Sequence, residues 1–319
     1  MLFTPNALHI PDGFLTPFVS LVGWGLALIL LLIAVRQTRR QLAERQVPVM
    51  GVMAAFIFAA QAVNLPVAAG TSGHLLGGAL AAIALGPWAA ALVMTAVIVV
   101  QGLIFQDGGL LAMGWNIINM GILTAFTGHL GYSIVQRLAG SGRAGRLAGA
   151  VAGAWASVEA GAIATSIELA ASGTAPLALA LPAMAGIHAL IGIGEALITV
   201  GAVALLQASR PEVMGSAETA PGQKTASFVV LGLLMAMGVA VLSPIASSDP
   251  DGLQAVAGTQ GFAVQAQGNG LGILPGYAFP LVQNPAVATM LAVAGGVSLV
   301  FATAVILGRA ASRRAAGRS

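Results

Sequence analysis

The chain has 319 residues, of which 58% are hydrophobic and only 7% are charged, a composition outside the range of soluble globular proteins. The net charge is +3, but the basic residues lie in loops between apolar segments, which favours a role in membrane topology over nucleic-acid binding. The absence of cysteine excludes disulfides, thiolate metal sites and thiol catalysis. The composition therefore predicts a polytopic membrane protein.

The first segment with distinctive chemistry is Leu8-His9-Ile10-Pro11-Asp12-Gly13, just ahead of the first long apolar run. No positively charged region precedes it, so we expect no cleaved signal peptide. A histidine at position two of a chain can chelate a metal through the terminal amine, its own backbone nitrogen and its ring Nδ1. Planar nitrogen sites of this kind suit Ni(II) or Cu(II). The alternative is a solvated tail beside the membrane.

Eight apolar runs are long enough to cross a bilayer, at 18–35, 48–66, 88–106, 114–135, 147–171, 182–206, 227–246 and 286–307. A ninth run, 74–86, is short and ends at Gly86-Pro87, where a helix breaks or restarts. The distribution of the basic residues indicates whether this run also crosses the membrane.

The 13 Lys and Arg residues fall in four clusters, after the 18–35, 114–135, 182–206 and 286–307 runs. Basic residues of short loops concentrate on the cytoplasmic side, and the four clusters share that side only if 74–86 also crosses. We therefore predict an all-α bundle of about nine transmembrane helices in the cell inner membrane, with the N-terminus outside and the C-terminus cytoplasmic. This topology puts His9 and His74 on the same outer face.

The polar stretch 207–226 is typical of a linker. It divides the chain into a domain of seven helices, 1–206, and a domain of two helices, 227–319. Within the second domain the outer loop 247–285 is long and Gly-rich, and we expect it to lack regular structure.

The loop Asn64-Leu65-Pro66-Val67-Ala68-Ala69-Gly70-Thr71-Ser72-Gly73-His74 offers a second histidine on the outer face. Its glycines permit a tight fold that brings the imidazole of His74 toward another segment. His74 would add a fourth nitrogen to a planar site begun at His9. A lone loop histidine is otherwise solvated.

Five motifs occur in a fixed order: HIPDGFL, GTSGHLLGG, ALGPW, QGLIFQDGG and NIINMG. Asn116 and Asn119 of the last motif are three residues apart and share a helix face. Together the motifs resemble the CbiM/NikM family, the substrate-binding components of energy-coupling factor (ECF) importers for cobalt and nickel. This resemblance also implies a link to cobalamin biosynthesis. The last two helices, with Asp249-Pro250-Asp251-Gly252-Leu253, resemble a fused PDGLE-type NikN partner.

The resemblance implies import of Ni2+ or Co2+ as substrate, with no permanent cofactor. The implied partners are an ECF transmembrane coupling (T) component, ATPase (A) subunits and the lipid bilayer. The implied ligands are His9, His74 and the N-terminal amine. Seven residues precede Leu8, whereas the family motif starts the chain, so the amine ligand requires a mature chain that begins at Leu8. The further second-shell or pathway candidates are Asp12, Ser72, Asp107, Asn116, Asn119, His188 and Glu195.

Ionisable residues inside the predicted helices favour an alternative function. Glu159, Glu168 and Glu195 are costly in a bilayer and are functional candidates by default. They are compatible with a self-contained, proton-coupled secondary transporter, or with hydrogen bonds that orient the bundle. A third possibility is a membrane scaffold that binds no metal.

The sequence does not favour an enzyme. Ser72 and His74 place a hydroxyl near an imidazole, but no GxSxG or HExxH pattern occurs. The residues before Lys224 do not form a phosphate-binding loop, so we expect the energy for transport to come from another chain or an ion gradient.

Overall fold

The computed structural model describes residues 9–68, 70–209, 223–268 and 270–312. The regular structure of this part is almost entirely helical. The helices are α1 (Pro17–Gln41), α2 (Val47–Gln61), α3 (Gly78–Leu85), α4 (Pro87–Ile104), α5 (Met113–Asn116), α6 (Thr124–Ala139), α7 (Arg143–Ala171), α8 (Leu177–Ser209), α9 (Gln223–Leu242), α10 (Gly252–Gln260) and α11 (Pro285–Ser312). Four short 3₁₀ turns lie at Glu44–Gln46, Ser243–Ile245, Ala263–Gln265 and Pro275–Tyr277.

The predicted all-α membrane bundle is confirmed. Each of the nine predicted apolar runs contains a helix in the part of the chain that the structure describes, and six helical segments are long and apolar enough to span a membrane. A π-helical turn, Ile117–Leu123, joins α5 and α6 into one continuous segment over the predicted 114–135 run. Helix α2 is shorter, with 15 residues.

Helix α3 corresponds to the short 74–86 run. Its 8 residues extend about 12 Å at ~1.5 Å per residue, less than half of a hydrocarbon layer of ~30 Å. Residues 78–84 are all buried, so α3 is enclosed by other helices. The chain before it is mostly irregular, with a two-stranded antiparallel ribbon formed by β1 (Leu65–Pro66) and β2 (Ser72–Gly73).

Small residues allow close helix contacts in the centre of the bundle. A Cβ atom at Gly128 of α6 would lie 2.5 Å from the Cβ of Ala79 in α3. A Cβ atom at Gly153 of α7 would lie 2.3 Å from the carbonyl oxygen of Gly128. Because lipid chains are as apolar as leucine, membrane helices associate mainly through such close packing. The α3, α6 and α7 backbones therefore form a tightly packed centre of the bundle.

The two ends of the bundle differ in chemistry. The arginine end carries the exposed Arg40 and Arg143 and a contact between α1 and α11, in which Arg39 Nη2 donates to the carbonyl oxygen of Ala310 at 3.1 Å. The opposite end, here called the His9 end, carries residues 9–16 and the irregular loop before α3.

The loop between α9 and α11 covers the His9 end. Ser247 N–H donates to the carbonyl oxygen of Asn64 at 2.8 Å, and Gln267 N–H donates to that of Asp12 at 2.7 Å. The expectation that this loop lacks regular structure is wrong, because it contains α10. Asp251 caps α10 at Gln254 N–H, and Leu253, Val256 and Ala257 form a buried stripe with helical spacing.

Candidate functional site

Two polar side chains fix the N-terminal segment across the His9 end. Asn116 accepts from Ile10 N–H and donates to the Ile10 carbonyl oxygen, both at 3.0 Å. The Asp12 carboxylate accepts from the backbone N–H groups of Leu110, Leu111 and Ala112 at 2.9–3.1 Å. Both residues were candidates from sequence. Their contacts fix the backbone of the segment that follows His9.

His9 is 2% exposed, and the Nδ1 atom of its ring contacts a carboxylate. Its Nδ1 lies 2.7 Å from Asp107 Oδ1, and Tyr277 donates from its hydroxyl to Asp107 Oδ2 at 2.6 Å. Burial raises the pKa of Asp107, but the neighbouring His9 and the hydrogen bonds from His9 and Tyr277 outweigh it, so the pKa lies below its usual value. Burial and the Asp107 charge raise the pKa of Tyr277, which therefore remains a donor.

An ionised carboxylate only accepts hydrogen bonds, so Nδ1 of His9 carries a proton, and in the neutral ring the lone pair then lies on Nε2. Nε2 is buried and has no hydrogen-bond partner among the described residues. Histidine ligands of metals commonly donate their other ring N–H to a carboxylate. His9 Nε2 is therefore a candidate donor atom.

The planar chelate predicted from the sequence uses Nδ1, which faces Asp107 in this structure. The chelate would require the His9 ring to turn so that Nδ1 leaves Asp107. Leu8, whose amine would complete the chelate, lies outside the described residues.

His74 approaches His9 from the loop before α3. The two ring centroids are 6.2 Å apart, and His74 Nδ1 lies 2.9 Å from the Leu75 carbonyl oxygen. Glu195 of α8 accepts from the N–H groups of Leu76 and Gly77 at 2.6 and 2.9 Å, and this fixes the chain next to His74. Glu195, a pathway or second-shell candidate from the sequence, thus contacts the backbone of the loop that carries His74.

A cavity of about 70 Å³ lies between these elements. A water molecule needs roughly 10–15 Å³ of such volume, so the cavity has room for a few waters or one ion. Its polar lining residues are His9, His74, Asn116, Asn119, Thr124, Thr165, His188 and Asp251. Three of the chain's 4 histidines therefore share one cavity. No three His, Asp or Glu side chains of the described residues are already close enough to enclose an ion.

The far wall of the cavity comes from α7, α8 and the π-helical turn. His188 Nδ1 lies 2.7 Å from the Met184 carbonyl oxygen, so Nδ1 donates and Nε2 carries the lone pair. Asn119 donates to Glu168 Oε2 at 2.9 Å and to Thr165 Oγ1 at 3.3 Å. π-Helical turns are frequent at functional sites, and this one changes the helix register beside the cavity.

Two further residues lie at the site that were not predicted from the sequence, Asp251 and Tyr277. Both belong to the loop that covers the His9 end. Burial raises the pKa of Asp251, and the hydrogen bond from Gln254 N–H and the nearby His74 offset this effect only in part. The one sequence signal for Asp251 was its place in the Asp249-Pro250-Asp251-Gly252-Leu253 motif. Tyr277 had no local signal, because its partner Asp107 is 170 residues away.

The fold and the site together define a multi-pass helical membrane protein with a buried cavity of imidazole and carboxylate groups, a class that includes membrane carriers of metal ions. Residues 9–213 match the family model CbiM, described as a cobalt uptake substrate-specific transmembrane region, and residues 226–313 match the PDGLE domain. The chain belongs to the CbiM family, and it carries the PDGLE domain behind the CbiM region.

Some similar proteins match nearly the whole chain, and others match about two thirds of it. The fused nickel transport protein NikMN of Rhodobacter capsulatus is 30% identical, over 92% of this chain and 95% of the relative. The cobalt transport protein CbiM of Sorangium cellulosum is 33% identical over 65% of this chain and 94% of its own length. A crystal structure of a truncated transition metal transporter is 32% identical and superposes with a TM-score of 0.57, over 63% of this chain and 98% of that one.

Proposed function

We propose that this protein is the substrate-specific component of an ATP-driven ECF-type importer, and that its substrate is Ni2+ or Co2+. The ion is captured between His9 and His74. The observation that carries the proposal is the buried His9 Nε2, without a partner in the described part of the chain, beside His74 in an ion-sized cavity. Imidazole nitrogen is a preferred donor for both metals. The names of the nickel and cobalt relatives support the same substrates.

Further ligands belong to the same proposal. The amine of a chain that begins at Leu8 would join His9 and His74. Ser72, Asp107, Asn116, Asn119, His188 and Glu195 orient the ligands or line the path of the ion. The contact of Asp107 with His9 and the contact of Glu195 with the His74 loop favour a role in orienting the ligands.

The proposed orientation has the His9 end outside and the arginine end in the cytoplasm, in the cell inner membrane. Residues 1–206 form the metal-binding domain, 207–226 a cytoplasmic linker and 227–319 the second domain; positions 210–222 of the linker lie outside the described residues. A T component and A subunits supply coupling and ATP hydrolysis from separate chains. The distribution of basic residues supports the orientation.

Reconstitution tests this function directly. The full chain is placed in lipid vesicles with or without the T and A subunits, and radioactive nickel or cobalt accumulation is followed with ATP or with a pH gradient alone. We expect accumulation only with all subunits and ATP. Accumulation on a pH gradient without them would establish the proton-coupled alternative that uses Glu159, Glu168 and Glu195. The absence of any metal binding would indicate a scaffold.

The contacts of two of these glutamates support structural roles. Glu168 pairs with Asn119, and Glu195 accepts from two backbone N–H groups. A carboxylate that is engaged in this way is less available to carry protons along a path.

A further inference from the structure

The loop of the second domain enters the cavity wall at Asp251. Next to it, Ser72 N–H donates to the Pro250 carbonyl oxygen at 2.8 Å, and Ser72 Oγ donates to that of Asp249 at 2.7 Å. Ser72 is fully buried and lies two residues before His74. The backbone at 249–251 is thus fixed to the same short strand that leads to the histidine.

The Asp251 side chain is buried and lines the cavity. Its Oδ1 accepts from Gln254 N–H at 2.7 Å and caps α10. The following residue must be small: a Cβ atom at Gly252 would lie 2.7 Å from Cε1 of His188. Gly252 therefore lets the start of α10 approach the His188 ring.

The side chains of the cavity lining carry little negative charge. Asp251 is the one acidic residue among the described residues that line it, and the imidazole rings of His9, His74 and His188 are neutral when they bind a metal. Asp107 lies behind His9, with one oxygen at His9 Nδ1 and the other at the Tyr277 hydroxyl. A divalent cation that leaves water for a buried site requires compensating charge and donors.

We infer that Asp251 is a direct ligand of the transported ion, supplied by the second domain to a site whose histidines come from the first. Imidazole nitrogens and a carboxylate oxygen can share one first-row divalent metal, as they do in iron sites with two histidines and one carboxylate. The fully buried His9 ring with its unpartnered Nε2, in the same cavity, is independent evidence that this cavity takes a ligand. The inference rests on the proposed function and adds a donor to it.

The test compares two charge-removing variants in the same loop, Asp251→Asn and Asp249→Asn. The Asp249 side chain accepts from Ser247 Oγ and is absent from the cavity lining. Asparagine is as good a helix cap as aspartate, so Asp251→Asn retains the cap on α10 while it removes the charge. The full chain is purified in detergent and titrated with Co2+ and Ni2+ by calorimetry, and the visible spectrum of bound Co2+ is recorded.

We expect Asp251→Asn to weaken binding at least about tenfold and to shift the Co2+ bands, because even outer-shell changes cost roughly 10- to 100-fold in affinity. Asp249→Asn should bind like the unaltered chain. A third variant, Asp251→Glu, keeps the charge but is a poorer cap, and it should retain more affinity than Asp251→Asn. Thermal melting without metal shows whether each variant is folded.

The outcomes separate the two hypotheses. If the unaltered chain binds neither Co2+ nor Ni2+, the proposed function fails and this inference fails with it. If the unaltered chain binds metal and Asp251→Asn binds with the same affinity and the same Co2+ spectrum, only the inference is overturned, and Asp251 is a helix cap. A loss in Asp251→Glu as large as that in Asp251→Asn would also overturn it.

Discussion

The Nδ1 atom of His9 lies 2.7 Å from Oδ1 of Asp107, and both side chains are buried. The contact joins the N-terminal segment to the loop between α4 and α5. Tyr277, which belongs to the second domain, donates to the other oxygen of the Asp107 carboxylate. Three distant parts of the chain therefore determine which nitrogen of His9 faces the cavity. A carboxylate that orients a metal-binding histidine also raises its basicity.

Replacement of this carboxylate by an amide should weaken metal binding. We expect Asp107→Asn to lower Co2+ affinity about 10- to 100-fold, because a neutral amide orients the His9 ring less firmly than a carboxylate does. Tyr277→Phe leaves the carboxylate in place and should have a smaller effect. Calorimetry on purified protein measures both, with Glu44→Gln, an exposed acid at the arginine end, as the control. Unchanged affinity in Asp107→Asn would contradict the role.

Loss of His74 should abolish uptake, while the amount of protein in the membrane stays near normal. The matched control is His129→Ala: this histidine lies half-buried on α6 and does not line the cavity. Both histidines are half-buried, so we expect the two changes to cost similar and modest amounts of stability. Nickel uptake by cells and immunoblotting of membranes give the two measurements. An equal loss of uptake in both variants would argue against His74 as a ligand.

Glu195 should matter chiefly for the position of the His74 loop. Two backbone N–H groups donate to the Glu195 carboxylate. The amide of Glu195→Gln has only one oxygen that can accept a hydrogen bond. We therefore expect this variant to lose about 1–3 kcal/mol of unfolding free energy. Glu159→Gln should leave both stability and uptake near normal. Thermal unfolding in detergent and nickel uptake test the pair. If Glu159→Gln stops uptake and Glu195→Gln does not alter stability, the proton-coupled alternative gains support.

The topology can be mapped by cysteine labelling, since the chain has no native cysteine. Arg40→Cys and Arg143→Cys should stay unlabelled by an impermeant maleimide added to intact cells. Ser248→Cys, at an exposed position of the loop over the His9 end, should be labelled. Labelling of position 40 or 143 from outside would reverse the proposed orientation.

The N-terminal chelate can be tested with two chains, one that starts at Met1 and one in which an initiating methionine replaces Leu8 directly before His9. A free amine and a deprotonated amide beside His9 Nδ1 form a planar site, whereas an internal amide is a much weaker donor. We expect the shorter chain to bind Ni2+ more tightly and to show the strong visible absorption of planar nickel. Equally tight binding through His9 by the longer chain, with its length verified by mass spectrometry, would exclude the amine as a required ligand.

The sequence by itself determined the helices and the class of protein. Apolar runs of bilayer length are a local property, and each of the nine carries a helix in the described part of the chain. The ordered motifs around His9, His74 and Asn116 identified the family for the same reason, because residue types and spacings are visible without coordinates. The sequence also indicated that His9 and His74 share a face.

Only the tertiary structure decided which groups meet at the site. Asp107 and Tyr277 are 170 residues apart, and Asp12 bonds to backbone groups nearly 100 residues away, so no periodicity in the sequence records these contacts. The structure also brought His188 and Asp251 to the cavity of His9 and His74. Helix formation depends on neighbours along the chain, whereas a buried polar site depends on how separate helices and loops pack. That packing placed a carboxylate of the second domain beside the histidines of the first.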